Sequence, residues 1–185
     1  MDSILLGIVI GIAVKIENIV CSGTFNQLID LKRLSDECNL FEYGRNRYHG
    51  GYLRFDSHSV TVYRTGSYII PGLRSFDDVH TSFSKVKEIL SPYLDVSLFD
   101  EPQVKNVVCS SSVGHELDLS RLYVELISKD MDAIYEPEAF PGLILKVGGC
   151  TYNIFSSGKF VILGCTMERQ AEGAERFFLE LVDDI

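Results

Sequence analysis

The chain contains the same unit twice. Glu17-Asn18-Ile19-Val20-Cys21-Ser22 returns as Lys105-Asn106-Val107-Val108-Cys109-Ser110, and Asp30-Leu31-Lys32-Arg33-Leu34 returns as Asp118-Leu119-Ser120-Arg121-Leu122, both at a spacing of 88 residues. Further on the spacing is 92: Tyr43 corresponds to Tyr135, Tyr48 to Phe140, Tyr63 to Phe155, Gly66 to Gly158 and Gly72 to Gly164. The second copy therefore carries four extra residues in or after its first helix. Solenoid units run to only about 45 residues, so a period near 90 reads as a duplicated α+β half. Residues 15–101 form the first repeat and 102–185 the second, with Pro92 and Asp100-Glu101-Pro102 marking the joint.

Within each copy the pattern predicts an Asn-containing strand, a helix opened near Asp30 or Asp118, several short strands and a closing helix. Alternation in Tyr52-Leu53-Arg54-Phe55 and Ser59-Val60-Thr61-Val62-Tyr63 sends successive side chains to opposite sheet faces. Gly66 and Gly158 stand where hairpin turns are expected. Val79, Phe83, Val86 and Leu90 fall at helical spacing within Phe76 to Leu90, as do Ala171, Ala174, Phe178 and Leu181 within Met167 to Val182. Those stripes cover one sheet face, and nothing in the sequence supplies a cover for the other. Two halves joined through equivalent strands would present one broad exposed sheet surface, which implies a binding face.

Composition restricts what such a face can bind. A net charge of −9 argues against a generally basic nucleic-acid binder, so any DNA-contacting charge must be local. The five cysteines are odd in number, form no CxxC pair and follow no cleavable signal sequence, which reads as reduced, mostly buried thiols in a cytoplasmic protein. His49, His58, His80 and His115 lie far apart and give a metal no ligand spacing. The apolar run Ile4 to Val14, within the N-terminal segment 1–14, holds Gly7 and Gly11 at a spacing used by membrane helix dimers. It is about half of the roughly 20 residues needed to cross a bilayer. Its β-branched content favours an extended lead into the first strand, so no membrane role is expected.

The second copy carries YEPEAFPGLI at 135–144 and IFSSGK at 154–159, and with the two Asn-Ile/Val-Val strands these segments resemble the TATA-box-binding protein family. The resemblance covers the chain from about Lys15 to Asp184. It implies a saddle: a ten-stranded antiparallel sheet with a concave DNA-facing underside and four helices on the convex face. It also implies that Asn18 and Asn106 meet base edges in the minor groove, with Val20, Val108, Ile69 and Val161 as apolar contacts beside them. Tyr48, Tyr63, Phe140 and Phe155 take the four wedge positions, two of them as tyrosine, whose hydroxyl makes insertion between bases less favourable. Arg54, Lys146 and Lys159 match phosphate-contacting positions, and Glu136 and Glu138 match the loop that docks transcription factor B.

Departures from the family concentrate near the centre and in the first half. Pro71 and Leu163 stand where the family has threonine, Ser67 replaces the counterpart of Lys159, and Thr61 and Asn153 stand at usually apolar groove positions. The acidic balance and the absence of Lys/Arg runs in Phe76 to Leu90 point to the archaeal branch. The resulting expectation is a basal factor that binds and bends A·T-rich promoter DNA and recruits transcription factor B and, indirectly, RNA polymerase, with no catalytic residues and no cofactor. The alternative is a diverged paralogue that acts mainly as a protein-binding regulator with weak or relaxed DNA binding.

Overall fold

The computed structural model describes residues 14–44 and 49–184. Tyr48 and the apolar N-terminal segment before Val14 lie outside the described residues. The first half runs β1 (Lys15–Thr24), α1 (Leu31–Glu37), β2 (Phe41–Glu42), β3 (Gly50–Phe55), β4 (His58–Tyr63), β5 (Ser67–Leu73) and α2 (Phe76–Leu90). After a 3-10 turn at Val96–Leu98, the second half repeats the order: β6 (Gln103–Ser112), α3 (Leu119–Ser128), β7 (Asp132–Ile134), β8 (Leu143–Val147), β9 (Cys150–Ile154), β10 (Lys159–Cys165) and α4 (Glu168–Asp183). All ten strands join one antiparallel sheet in the order β2-β3-β4-β5-β1-β6-β10-β9-β8-β7.

The two halves meet where β1 pairs with β6. Ile19 lies across from Val107, its own counterpart 88 residues on, and to either side Asn18 faces Val108 and Val20 faces Asn106. The pairing is thus self-complementary about an approximate twofold axis through Ile19 and Val107.

Local chemistry places the helices. The Asp30 carboxylate accepts from the Lys32 and Arg33 N–H groups, and Asp118 does the same for Ser120 and Arg121, so each first helix starts on a matching cap. The first helix is seven residues long in the first half and ten in the second, which accounts for three of the four extra residues. The closing helix α2 starts on a Ser75 cap, whereas Met167 at the head of α4 has no capping group and the helix begins one residue later than the apolar pattern predicts. Both apolar stripes are buried against the sheet as expected. One charged residue joins them: Glu175, at the position of Phe83 in the first half, is buried and accepts a short hydrogen bond from Ser111 Oγ. All five cysteines are buried and unpaired by disulfides. No helix among the described residues is long and apolar enough to cross a membrane.

Gly66 and Gly158 close the hairpins β4–β5 and β9–β10 with φ of 90° and 80°, donating to Tyr63 O and Phe155 O. A methyl group at Gly158 would sit 1.9 Å from His115 O, so glycine is required there by space as well as by φ. Gly158→Ala is expected to cost about 3 kcal/mol in urea unfolding. Gly173→Ala, in the interior of α4 where a Cβ meets nothing within 4 Å, is expected instead to stabilise by about 0.5–1 kcal/mol. Equal effects would contradict this account of the hairpin.

Candidate nucleic-acid interface

Alternation along the strands builds an open face behind the core. On β1, Ile19 and Cys21 are fully buried, while Asn18 and Val20, alternating with them, are half-buried on the other side. On β6, Val107 and Cys109 are buried and Asn106 and Val108 are half-buried. Ile69 lies across from Thr61 and Val161 across from Asn153, each with buried neighbours before and after it. The pattern gathers Asn18, Val20, Ile69, Asn106, Val108 and Val161 onto one surface opposite the closing helices.

The two asparagines are clamped. Asn18 Oδ1 accepts from the Gly72 N–H at 2.9 Å, and Asn106 Oδ1 accepts from the Gly164 N–H at 3.0 Å. A backbone N–H can only donate, so the atom facing it must be the amide oxygen, and both amide N–H groups are left to donate elsewhere. Gly72 and Gly164 reach the asparagines because the ladder is irregular there: they have φ of 84° and 94° and lie where β5 and β10 slip register. That is a bulge conformation in which glycine is unstrained. Pro71 sits at the same irregularity in β5, where its missing N–H breaks no ladder pair. The missing threonine hydroxyls at 71 and 163 therefore do not leave the amides loose. Sequence reasoning missed the glycines' role, although both stood in the repeat at a spacing of 92.

At the outer ends of the face, Phe155 leads into the Gly158 turn and Phe140 closes the turn after Glu136. Their rings meet edge to face, with centroids 5.9 Å apart and planes at 65°. Both are half-buried. Gly142 makes room for the Phe140 ring, since a Cβ there would come within 2.7 Å of it. Tyr63 holds the place of Phe155 in the first half and is half-buried too. Glu136 and Glu138 are exposed, and Glu136 O accepts from the Ala139 and Phe140 N–H groups, both at 2.9 Å. The acidic pair and Phe140 thus belong to a single turn.

Charge is unevenly distributed between the halves. Arg54 Nε donates to Glu42 Oε2 at 3.2 Å, and its guanidinium lies 5.4 Å from the Tyr52 ring centre. Glu17, a residue the sequence did not single out, precedes Asn18 and accepts from Lys15 Nζ and Ser110 Oγ, each at 2.7 Å. Those bonds, that from Lys15 foremost, hold its carboxyl below the usual carboxylate range. Lys146 and Lys159 are exposed and form no ion pair among the described residues.

A pseudo-twofold sheet backed by helices, with clamped amide donors at its centre and paired aromatics at the second half's outer end, defines a duplicated α+β protein with one open sheet face. Comparison with known proteins gives the same class. The family model for transcription factor TFIID, or TATA-binding protein, matches residues 13–93 and 101–185. TATA-box-binding protein 2 of Haloferax volcanii is 32% identical over 181 residues, covering 92% of this chain and 94% of that protein. The TATA-box-binding protein of Archaeoglobus fulgidus is 33% identical over 175 residues, covering 91% and 94%. The solved structure of the Methanococcus jannaschii protein superposes with a TM-score of 0.77 at 25% identity, over 93% of this chain and 99% of that one. The chain belongs to the TATA-binding protein family and has its saddle fold, and that family is one of transcription factors rather than enzymes.

The clamp has a consequence measurable without any ligand. Asn106→Ala is expected to speed amide hydrogen exchange at Gly164, by roughly tenfold for a lost hydrogen bond of about 1 kcal/mol or slightly more, and to leave Gly72 unchanged. Asn18→Ala should do the reverse. Unchanged exchange at both glycines would show that the oxygens are not held.

Proposed function

We propose that the chain binds A·T-rich promoter DNA through the minor groove on its open face, bends it, and recruits transcription factor B, engaging RNA polymerase indirectly. The observation that carries this reading is the clamped asparagine pair. In the minor groove A·T and T·A pairs offer only acceptors, adenine N3 and thymine O2, whereas G·C pairs add the guanine N2 donor. Amides whose oxygens are already engaged can offer only donors, so they suit A·T pairs and meet guanine N2 with a like group. Val20, Val108, Ile69 and Val161 supply apolar area around them.

Apolar wedges that unstack a base step are the known mode of minor-groove architectural proteins, TATA-box-binding proteins among them. Phe140 and Phe155 fit that use: each is a half-buried ring, braced by its partner, at the outer end of the face. Tyr63 and Tyr48 take the equivalent roles in the first half with a hydroxyl to desolvate. Arg54, Lys146 and Lys159 supply phosphate contacts. With Arg54 held by Glu42, the second half supplies most of the attraction.

A second reading, a diverged paralogue acting chiefly on protein partners, draws support from the carboxylates of Glu17 and Glu42 on or beside the open face. Titration of an A·T-rich and a G·C-rich duplex at several salt concentrations separates the two. Strong A·T preference is expected, and no preference would favour the paralogue. Each neutralised phosphate contributes about −0.9 to the slope of log K against log salt. Few available cations therefore give a shallow slope. Lys159→Ala should flatten it by about one unit on all sequences, whereas Asn106→Ala should reduce A·T preference and leave the slope alone. The exchange of those two outcomes would show the wrong residues on the DNA.

Two further outcomes follow from the outer ends of the face. Phe140→Ala and Phe155→Ala should each reduce DNA bending, read by energy transfer across an end-labelled duplex, more than Tyr63→Ala does. Equal losses would remove the asymmetry. Reversing Glu136 and Glu138 to Lys should abolish the ternary complex with transcription factor B in a gel shift while sparing the binary complex. Unchanged ternary assembly would overturn that docking role.

A further inference from the structure

The second half carries a pair of thiols that the first half lacks. Cys150 Sγ and Cys165 Sγ lie 3.3 Å apart beneath α4, at the positions held by His58 and Leu73 in the first half. We propose that Cys150 and Cys165 form an oxidative modification site, converted to an intramolecular disulfide by low-molecular-weight disulfides. Three observations support it, none of which depends on DNA binding.

The first is reach. A disulfide needs sulfurs about 2.05 Å apart, so the pair has little distance to close. Glycines in left-handed conformations flank both residues, Gly148 and Gly149 before Cys150 and Gly164 before Cys165, with φ of 61°, 78° and 94°. The backbone beside each thiol is thus of the kind that adjusts at least cost. The second is access. Cys150 lines a mostly apolar cavity of about 310 Å³ with Val147, Tyr152, Gln170 and Phe177, while Cys165 is fully buried behind it. The third is order of attack. Cys165 lies fully buried behind Cys150, so a reagent entering the cavity meets Cys150 first, and burial, with Cys150 beside it, holds the Cys165 thiol above its ordinary value.

The reaction is a two-step exchange. Cys150 thiolate attacks one sulfur of the reagent, breaks its S–S bond, and forms a mixed disulfide as one thiol departs. Cys165 then attacks Cys150 Sγ and displaces the second thiol. The cysteine pair loses two electrons and two protons, and the reagent's disulfide gains them as two thiols.

The bond would bear on the open face. Gly164, which clamps Asn106, packs so closely on the turn before β9 that a Cβ there would lie 3.0 Å from Gly149 O. Tying Cys165 to Cys150 fixes both sides of that contact. The modification therefore stiffens the second asparagine clamp and leaves the first untouched.

The test uses the full chain and oxidised glutathione. The expected product has lost two hydrogens by intact mass, keeps three of its five cysteines open to alkylation after unfolding, and yields a Cys150–Cys165 peptide on mapping. The final step should accelerate roughly tenfold per pH unit between about pH 7 and 9, as the Cys165 thiolate becomes available. Cys165→Ser and Cys165→Ala should both stop at a glutathione adduct on Cys150. In the oxidised wild-type chain, amide exchange at Gly164 should slow by roughly tenfold, with Gly72 unchanged. Five alkylatable cysteines after full oxidation of a control dithiol, a bridge joining any other pair, or Gly164 exchange that does not slow would each overturn the proposal.

Discussion

Everything on the open face hangs on the β1–β6 ladder. Because Ile19 pairs with its own counterpart Val107, one set of backbone hydrogen bonds places two copies of a half-sheet in register about a twofold axis. A slip of one residue would turn Asn18, Val20, Asn106 and Val108 into the core and send Ile19, Cys21, Val107 and Cys109 to the surface. The fully buried state of the latter four makes such a slip costly. The same apolar burial that holds the halves together thus also aims the asparagines.

Duplication then lets the halves diverge without losing the frame. The ladder, the helix caps at Asp30 and Asp118 and the central Asn and Val pairs keep their symmetry, while the charged and outer aromatic side chains of the open face do not. Arg54 and Lys15 are held by Glu42 and Glu17, whereas Lys146 and Lys159 stand unpaired among the described residues. Phenylalanine faces phenylalanine at 140 and 155, and tyrosine occupies the corresponding positions in the first half. The thiol pair under α4 is confined to the second half as well. Of the three basic residues proposed to meet phosphate, the two left without an ion pair among the described residues, Lys146 and Lys159, both belong to the second half.

Much of this was legible in the sequence, and the exceptions have physical reasons. The spacing of 88 and then 92 gave the two halves, Asp30 and Asp118 marked two helix starts through capping chemistry, and Gly66 and Gly158 marked two hairpins through their need for positive φ. The start of α4 was misplaced by one residue because Met167 offers no capping group to signal it. The Gly72 and Gly164 clamps were not seen because their work is done by backbone N–H groups at bulges, and single-chain patterns do not report register slips. The Arg54–Glu42 pair was missed for a related reason, since it joins neighbouring strands and depends on pairing that composition does not encode, whereas Lys15 and Glu17, two apart on one strand, share a face by alternation and were legible.

The central claim is that Asn18 and Asn106 read A·T pairs as clamped donors. The most direct measurement replaces adenine by 3-deazaadenine at the centre of an A·T-rich duplex, which removes the N3 acceptor and keeps base pairing. The wild-type chain should lose about fivefold in affinity for each acceptor removed, as for a hydrogen bond of about 1 kcal/mol. The chain carrying Asn18→Ala and Asn106→Ala together should bind both duplexes alike. Equal binding of the two duplexes by the wild-type chain, or an undiminished loss in the double variant, would contradict the account.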